Sequence, residues 1–241
     1  MKIGLLLCDH LNPKIADGIG DYTELYPAVF SPVDIDLRVY EAAAGQLPED
    51  SSECQGWIIS GSIKSAYEDL PWISDLAQFI KRTASERVPQ MGICFGHQLI
   101  ASTLGGEVAR SGSGWGVGVK KFDIVASAPW MRSDPPVSNF SMLMSHQDQV
   151  IRLPTDAELL ATSSYCPVAA YRVQDHVFCV QGHPEFVPAL SQKLINARRS
   201  ILGEGIAQAA LLTLDKLQGN PLSTPPDHHL VAGWIARFFR R

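Results

Sequence analysis

A cysteine framed by two glycines, Gly92-Ile93-Cys94-Phe95-Gly96, constrains this chain more than any other feature. An apolar, strand-like segment from Val88 to Ile93 runs into it, and a helix-like one from His97 to Leu104 follows. A chain that turns sharply from strand to helix at the cysteine leaves no room for side chains two residues either side, which is a physical reason for glycine at 92 and 96. The pattern is that of a nucleophile elbow with sulfur in place of a hydroxyl. The thiol would then stand at a helix N-terminus, where free N–H groups and the dipole favour thiolate. Free cysteines also serve as small core hydrophobes, and spacing alone does not separate the two readings.

A second run, His176-Val-Phe-Cys-Val-Gln181, reads as a short strand leading directly into Gly182-His183-Pro184-Glu185-Phe186. Open α/β sheets present their reactive groups just past the carboxyl ends of strands, which is where His183 falls. Proline at 184 biases the backbone of His183 towards extended geometry, and an extended chain would point Glu185 to the same side. A thiol, an imidazole to take its proton and a carboxylate to orient the imidazole form a complete nucleophilic set. That combination favours a reactive Cys94 over a core thiol.

Around these blocks, apolar and amphipathic runs alternate. Strands are predicted at Ile3 to Cys8, Ile35 to Tyr40, Trp57 to Ser60, Gln90 to Ile93, Val117 to Val125, Glu158 to Thr162, Ala169 to Val173 and Val177 to Gln181. Helices are predicted at Trp72 to Ser85, Phe95 to Leu104, Pro188 to Ile201, Ile206 to Leu217 and His228 to Phe239. The early strand–helix alternation predicts an α/β fold of the flavodoxin-like kind, a mostly parallel central sheet with helices on both faces. Residues 107–181 are strand-rich with few helices, which predicts an antiparallel extension. Loops fall at Ser127 to Asn139 and at Gly219 to Pro226, neither long enough to be an interdomain linker. One domain over residues 1–241 is expected, with its core over about 1–190 and C-terminal helices over 188–240.

Three separated blocks resemble the class I, triad-type glutamine amidotransferases. Gly92-Ile-Cys94-Phe-Gly96-His-Gln98 is similar to that family's nucleophile block, and Gly182-His183-Pro184-Glu185 to its histidine–glutamate block. Gly56-Trp-Ile-Ile-Ser60-Gly61-Ser62 resembles the strand and glycine turn that supply its oxyanion hole, although the family usually has Gly-Gly-Pro where this chain has Gly61-Ser62-Ile63. Met144-Ser145-His146-Gln-Asp148-Gln-Val150 is a weaker fourth match. The resemblance implies that Cys94 attacks the side-chain amide of glutamine and forms a γ-glutamyl thioester, which water hydrolyses to glutamate. It makes His183 the proton carrier, Glu185 the group that fixes its tautomer, and Ser62, Phe95 and Gly61 the oxyanion hole, with the N–H groups of Phe95 and Ser62 facing the oxyanion. It places Gln98, Trp115, Gly116 and His146 against the substrate. It implies no cofactor and no metal. The implied partners are glutamine or another γ-glutamyl compound and, where ammonia is passed on, a separate synthase subunit.

Other classes are weighed on the same residues. A free-standing γ-glutamyl peptidase would use the same thioester chemistry. A thiol hydrolase of the α/β-hydrolase type also has a G-x-C-x-G frame, but its acid normally precedes the histidine by a long interval, whereas Glu185 follows at +2. A non-catalytic binding protein on the same fold would have no use for the complete set. Gly112-Ser-Gly-Trp-Gly-Val-Gly118 has no Lys-Ser/Thr and precedes no helix pattern, which argues against a phosphate loop. His228-His229 cannot share one helix face, so a metal pair is not expected. Asp148 reads first as a loop cap and second as a substrate-side group, and Tyr67 as helix-entry chemistry that could reach a pocket rim. A net charge of −5 argues against a nucleic-acid surface, and Arg237 to Arg241 reads as a solvated helix terminus. No apolar run approaches the ~20 residues of a membrane span. Five irregularly spaced cysteines suggest neither disulfides nor zinc, so Cys8, Cys54, Cys166 and Cys179 are expected to be structural and the protein cytoplasmic.

Overall fold

A computed structural model describes residues 1–217 and 219–240; Arg241, the last of the basic run, lies outside them. In chain order the first half forms β1 (Lys2–Leu6), α1 (Pro13–Ala16), α2 (Tyr22–Phe30), β2 (Asp36–Tyr40), β3 (Trp57–Ile59), α3 (Pro71–Ser85), β4 (Gln90–Ile93) and α4 (Phe95–Thr103). Then come β5 (Glu107–Arg110), β6 (Gly116–Ile124), β7 (Asn139–His146), β8 (Asp148–Arg152), β9 (Ala157–Thr162), β10 (Ala170–Val173) and β11 (Val177–Val180). Helices α5 (Pro188–Ala197), α6 (Arg199–Leu202), α7 (Glu204–Leu214) and α8 (Pro226–Phe239) follow.

Nine strands make one sheet in the order β2-β1-β3-β4-β11-β10-β9-β6-β7, and β5 with β8 forms a separate antiparallel ribbon. The five strands from β2 to β11 run parallel. From β11 onward every pairing is antiparallel. The fold is therefore the expected flavodoxin-like α/β sheet with an antiparallel extension.

Burial explains the parallel half. Strands covered on both faces need continuous apolar runs, and β3, β4 and β11 are buried at every position. Successive side chains alternate between two cores. Leu5, Ile58, Met91 and Phe178 face Tyr26 of α2 and Trp234 of α8. Leu6, Trp57, Ile59 and Cys179 face Leu76 of α3 and Leu99 of α4. Each large apolar side chain so buried contributes about 1.5–3 kcal/mol, which holds the strand ends in fixed register.

The sequence-based element assignments differ from the structure at several places, the one-turn α1 among them. Helix α2 was not expected because Pro27 sits inside it; an Asp21–Glu24 capping box starts the helix all the same. Strands β5 and β8 are short, with mixed burial that leaves no clean period. Strand β7 went unpredicted because polar Asn139, Ser141 and Ser145 interrupt its apolar residues. The helix expected from Pro188 to Ile201 breaks at Arg198 into α5 and α6. No helix among the described residues is long and apolar enough to cross a membrane.

Candidate active site

Three neighbouring parallel strands, β3, β4 and β11, end at the same level: Ile59 pairs with Gly92, and Val180 with Ile93. Just beyond those ends come Gly61 and Ser62, Cys94, and His183. Residues far apart in the chain thus meet because adjacent strands stop together.

The elbow is built by close backbone contact. Cys94 has φ 52° and ψ −101°, a conformation that costs a non-glycine residue ~1–3 kcal/mol and persists only when its surroundings impose it. Here they do. Cys94 N–H donates to the Val180 carbonyl (3.0 Å) and Gly96 N–H to the Ser60 carbonyl (3.1 Å). A Cβ on Gly96 would lie 2.2 Å from the Ile59 carbonyl oxygen, and one on Gly92 2.7 Å from the Gly96 backbone. Both glycines are therefore obligatory for the reason anticipated. Phe95 opens α4, so its N–H has no intrahelical acceptor. All five cysteines are free and buried. Burial pushes the Cys8, Cys166 and Cys179 thiols up to about 12 and raises Cys54, so these four stay protonated.

His183 and Glu185 come together, but not through an extended chain. Phe186 N–H donates to the His183 carbonyl (3.3 Å), closing a turn that brings the two side chains to the same side. His183 Nδ1–H donates to Glu185 Oε1 at 2.7 Å. The ring also stacks on Phe186, with centroids 3.9 Å apart. With Nδ1 engaged, Nε2 is the nitrogen left to exchange a proton with sulfur. Burial alone would lower the pKa of His183; the Cys94 thiolate first and the Glu185 carboxylate second outweigh it, and the imidazolium is favoured up to about 10. The loop is clamped from the far edge of the sheet, where His183 N–H donates to the Leu143 carbonyl of β7 (3.1 Å). His228, on α8, donates from Nδ1 to the Pro184 carbonyl and accepts the Leu143 N–H at Nε2, both at 3.1 Å. Its place is that of a backbone brace. No group of metal-binding side chains forms among the described residues.

The turn after β3 is fixed by two long-range bonds. Ile63 N–H donates to Asp9 Oδ2 (2.8 Å), and Gly61 N–H donates to the Tyr26 hydroxyl (3.4 Å). The Gly61 amide is thus turned away from the oxyanion role suggested for it, while the Ser62 N–H has no acceptor among the described residues. Gly61 matters instead for space: a Cβ there would sit 2.9 Å from His183 Cε1 and 3.7 Å from Cys94 Cβ.

A cleft of about 260 Å³ opens over Cys94, lined on one side by Ser62 to Ser65 and on the other by Trp115, Ser145, His146 and Asp148. Gln98 lies on its wall, its Nε2 donating to the Asp148 carbonyl (2.7 Å) and to Gln181 Oε1 (3.1 Å). His146 donates from Nδ1 to the Asp148 carbonyl (2.9 Å), and burial lowers its pKa to about 4. Gly116 does not line the cleft; it is pressed between Tyr165 and His146 and supports the wall from behind. Asp148 is not a loop cap. Its carboxylate accepts from the Ser65 and Tyr67 hydroxyls, which ties β8 to the turn after β3; Tyr67 itself does not line the cleft.

Arg110, Gln147, Arg198 and Ile201 complete the lining; Arg110, Arg198 and Ile201, with Asp9 and Tyr26, were not anticipated. Asp9 lies just past the carboxyl end of β1, a position that strand order could have flagged. Arg198 stands at the α5–α6 break, its guanidinium 5.9 Å from the Trp115 ring centre and bonded to the Ser145 hydroxyl.

A doubly covered parallel sheet with an elbow cysteine and a histidine–carboxylate pair at adjacent strand ends defines a class of thiol-dependent hydrolases and transferases. Residues 17–199 match the profile described as "Glutamine amidotransferase class-I", most of the chain, and the protein belongs to that family. It is 34% identical over 172 residues to gamma-glutamyl peptidase 4 of Arabidopsis thaliana, covering 69% of this chain and 68% of that one. It is 32% identical over 176 residues to the glutamine-hydrolysing GMP synthase of Aeropyrum pernix, of which it spans only 30%. A solved glutamine amidotransferase from Thermotoga maritima superposes over 100% of this chain and 98% of that one, with a TM-score of 0.76 at 19% identity, a likeness of fold.

Proposed function

We propose that the protein cleaves γ-glutamyl amide bonds through a thioester on Cys94, with glutamine as the first substrate and glutamate and ammonia as products. The Cys94 sulfur attacks the γ-carbonyl carbon while His183 carries the thiol proton. The oxygen becomes an oxyanion facing the Phe95 and Ser62 N–H groups, each worth ~3 kcal/mol of barrier. The intermediate collapses, breaking the C–N bond, and the His183 proton goes to the departing nitrogen. Water then enters, gives a proton to His183 and its hydroxyl to the acyl carbon, and the thioester breaks to return sulfur and acid. Glu185 keeps Nδ1 protonated throughout. Gln98, Trp115 and His146 shape the substrate side. No cofactor takes part. The observation that carries this reading is the meeting of an elbow cysteine with the 2.7 Å His183–Glu185 pair at adjacent strand ends.

A second reading, γ-glutamyl peptides as substrates, has its own support. Beyond the space above Cys94, the cleft continues past Arg110, Arg198 and the exposed Ile63 and Ile201, room and charge suited to a leaving group larger than ammonia. On the first reading, ammonia goes to solvent or to a separate synthase subunit in the cytoplasm.

Mass spectrometry of the peptide carrying Cys94, after brief incubation with glutamine or with a γ-glutamyl dipeptide and acid quenching, tests both. A γ-glutamyl adduct on Cys94 is expected, and the substrate giving the faster turnover selects between the readings. Turnover of either compound undiminished in Cys94→Ala would overturn the proposal.

A further inference from the structure

The phenol of Tyr26 connects two parts of the site that strand geometry alone leaves independent. Tyr26 comes from α2, outside all three motif blocks, and is fully buried. Its hydroxyl donates to Glu185 Oε1 at 3.1 Å, the same oxygen that accepts from His183 Nδ1 at 2.7 Å. The phenolic oxygen in turn accepts the Gly61 N–H at 3.4 Å. The result is a continuous chain, Gly61 N–H to Tyr26 to Glu185 to His183, running from the turn after β3 to the turn after β11.

We propose that Tyr26 is a positioning residue whose hydroxyl couples the oxyanion turn to the His183–Glu185 pair. The proposal rests on the thioester reading above. The coupling follows from what each bond fixes. The bond to Glu185 holds the carboxylate in the rotamer that meets Nδ1. The bond from Gly61 commits that amide to Tyr26 and so sets the rotation of the next peptide plane, the one whose Ser62 N–H is left free. Burial raises the Tyr26 pKa well above 10, so the phenol keeps the proton it donates. The ring itself is held by packing, with centroid distances of 6.2 Å to Tyr22 and 6.5 Å to Phe30, so phenylalanine can fill its place.

The test is Tyr26→Phe, alone and combined with Glu185→Ala, measured by steady-state hydrolysis of glutamine and a γ-glutamyl dipeptide. Loss of a hydrogen bond to a charged partner corresponds to a kcat about 10- to 100-fold lower, with KM within about twofold. In the Glu185→Ala background the same change should cost less than about threefold, because the oxygen that accepts from both Tyr26 and His183 is gone. Multiplicative losses in the double variant, or a wild-type kcat in Tyr26→Phe, would overturn the coupling. A readout independent of turnover is the downfield Nδ1–H proton resonance of His183, which should shift in Tyr26→Phe at an unchanged melting temperature. If that resonance is unmoved, the proposal fails. If wild-type protein forms no adduct on Cys94, the thioester reading fails instead, and the resonance still decides the role of Tyr26.

Discussion

The two halves of the sheet bring different groups to the cleft. The parallel half, β2-β1-β3-β4-β11, ends in the groups that would make and break bonds: Cys94, His183, Glu185 and the Ser62 turn. The antiparallel half, β10-β9-β6-β7 with the β5–β8 ribbon, provides the opposing wall: Trp115, Ser145, His146 and Asp148. The extension curls far enough for Leu143, on its far edge, to accept a bond from His183. A stacked parallel sheet fixes strand ends rigidly, which suits reacting atoms placed to a fraction of an ångström. A curled, partly polar extension is free to vary its lining without disturbing them. On the proposed reading, chemistry and selectivity are separated along the sheet.

The sharpest way to break that division is to remove groups from the parallel half. His183→Ala should lower kcat for glutamine hydrolysis by at least ~10⁴-fold, and Glu185→Gln by roughly tenfold less, since the first carries protons and the second orients. Single-turnover measurements of acylation check the order. A larger loss in Glu185→Gln would exchange the two roles. Comparable losses from substitutions in the β7–β8 wall would erase the distinction between halves.

What could be read in advance follows the same line. Cys94 and His183 were visible because their signals are local: glycines at ±2 around an elbow, and a strand running into a histidine. Glu185 does meet His183, but by another route than the expected one, because a turn at Pro184 rather than an extended chain brings it round. Tyr26 was hidden in a helix that Pro27 disguises. Asp148 reads first as a cap and only second as a cleft group because its partners, Ser65 and Tyr67, are more than eighty residues away in sequence. Arg198 was concealed by an apolar pattern that runs on through the break at its own position. Local rules saw the strand ends. They could not see which wall would fold over them.

The seam between the halves carries a pH signature. His97, His146 and His228 are buried there, and burial lowers their pKa values to about 3, 4 and 3. A depressed histidine pKa means the unfolded chain binds the proton first, so stability is lost as pH falls below about 6.5. At pH 5 each would cost about 2 kcal/mol. His183 runs the other way: its contribution is complete below about 6.5 and disappears only as pH rises towards 10. Urea melts between pH 7 and 5 should therefore show a falling midpoint, and the Cε1–H resonances of the three seam histidines should not move across that range. Ordinary titration of all three near 6.5 in the folded protein would contradict the burial that joins the halves.

The smallest expected effect sharpens the comparison most, because it should appear in binding alone. Asp148 accepts two hydroxyl bonds that hold the β8 end of the wall against the turn carrying Ser62. Asparagine keeps the size but replaces one acceptor oxygen with a donor, so one hydroxyl loses its partner. The backbone carbonyl of residue 148, to which Gln98 and His146 donate, is untouched. The Asp148→Asn protein should therefore keep kcat within about threefold while KM rises about tenfold, a loss of ~1.4 kcal/mol of uniform binding. Because Tyr67 is more exposed than Ser65, Tyr67→Phe should reproduce only part of that rise. A fall in kcat with KM unchanged would mean that Asp148 acts on the reacting groups through the turn. The two halves would then be one machine rather than a reactive edge and a wall.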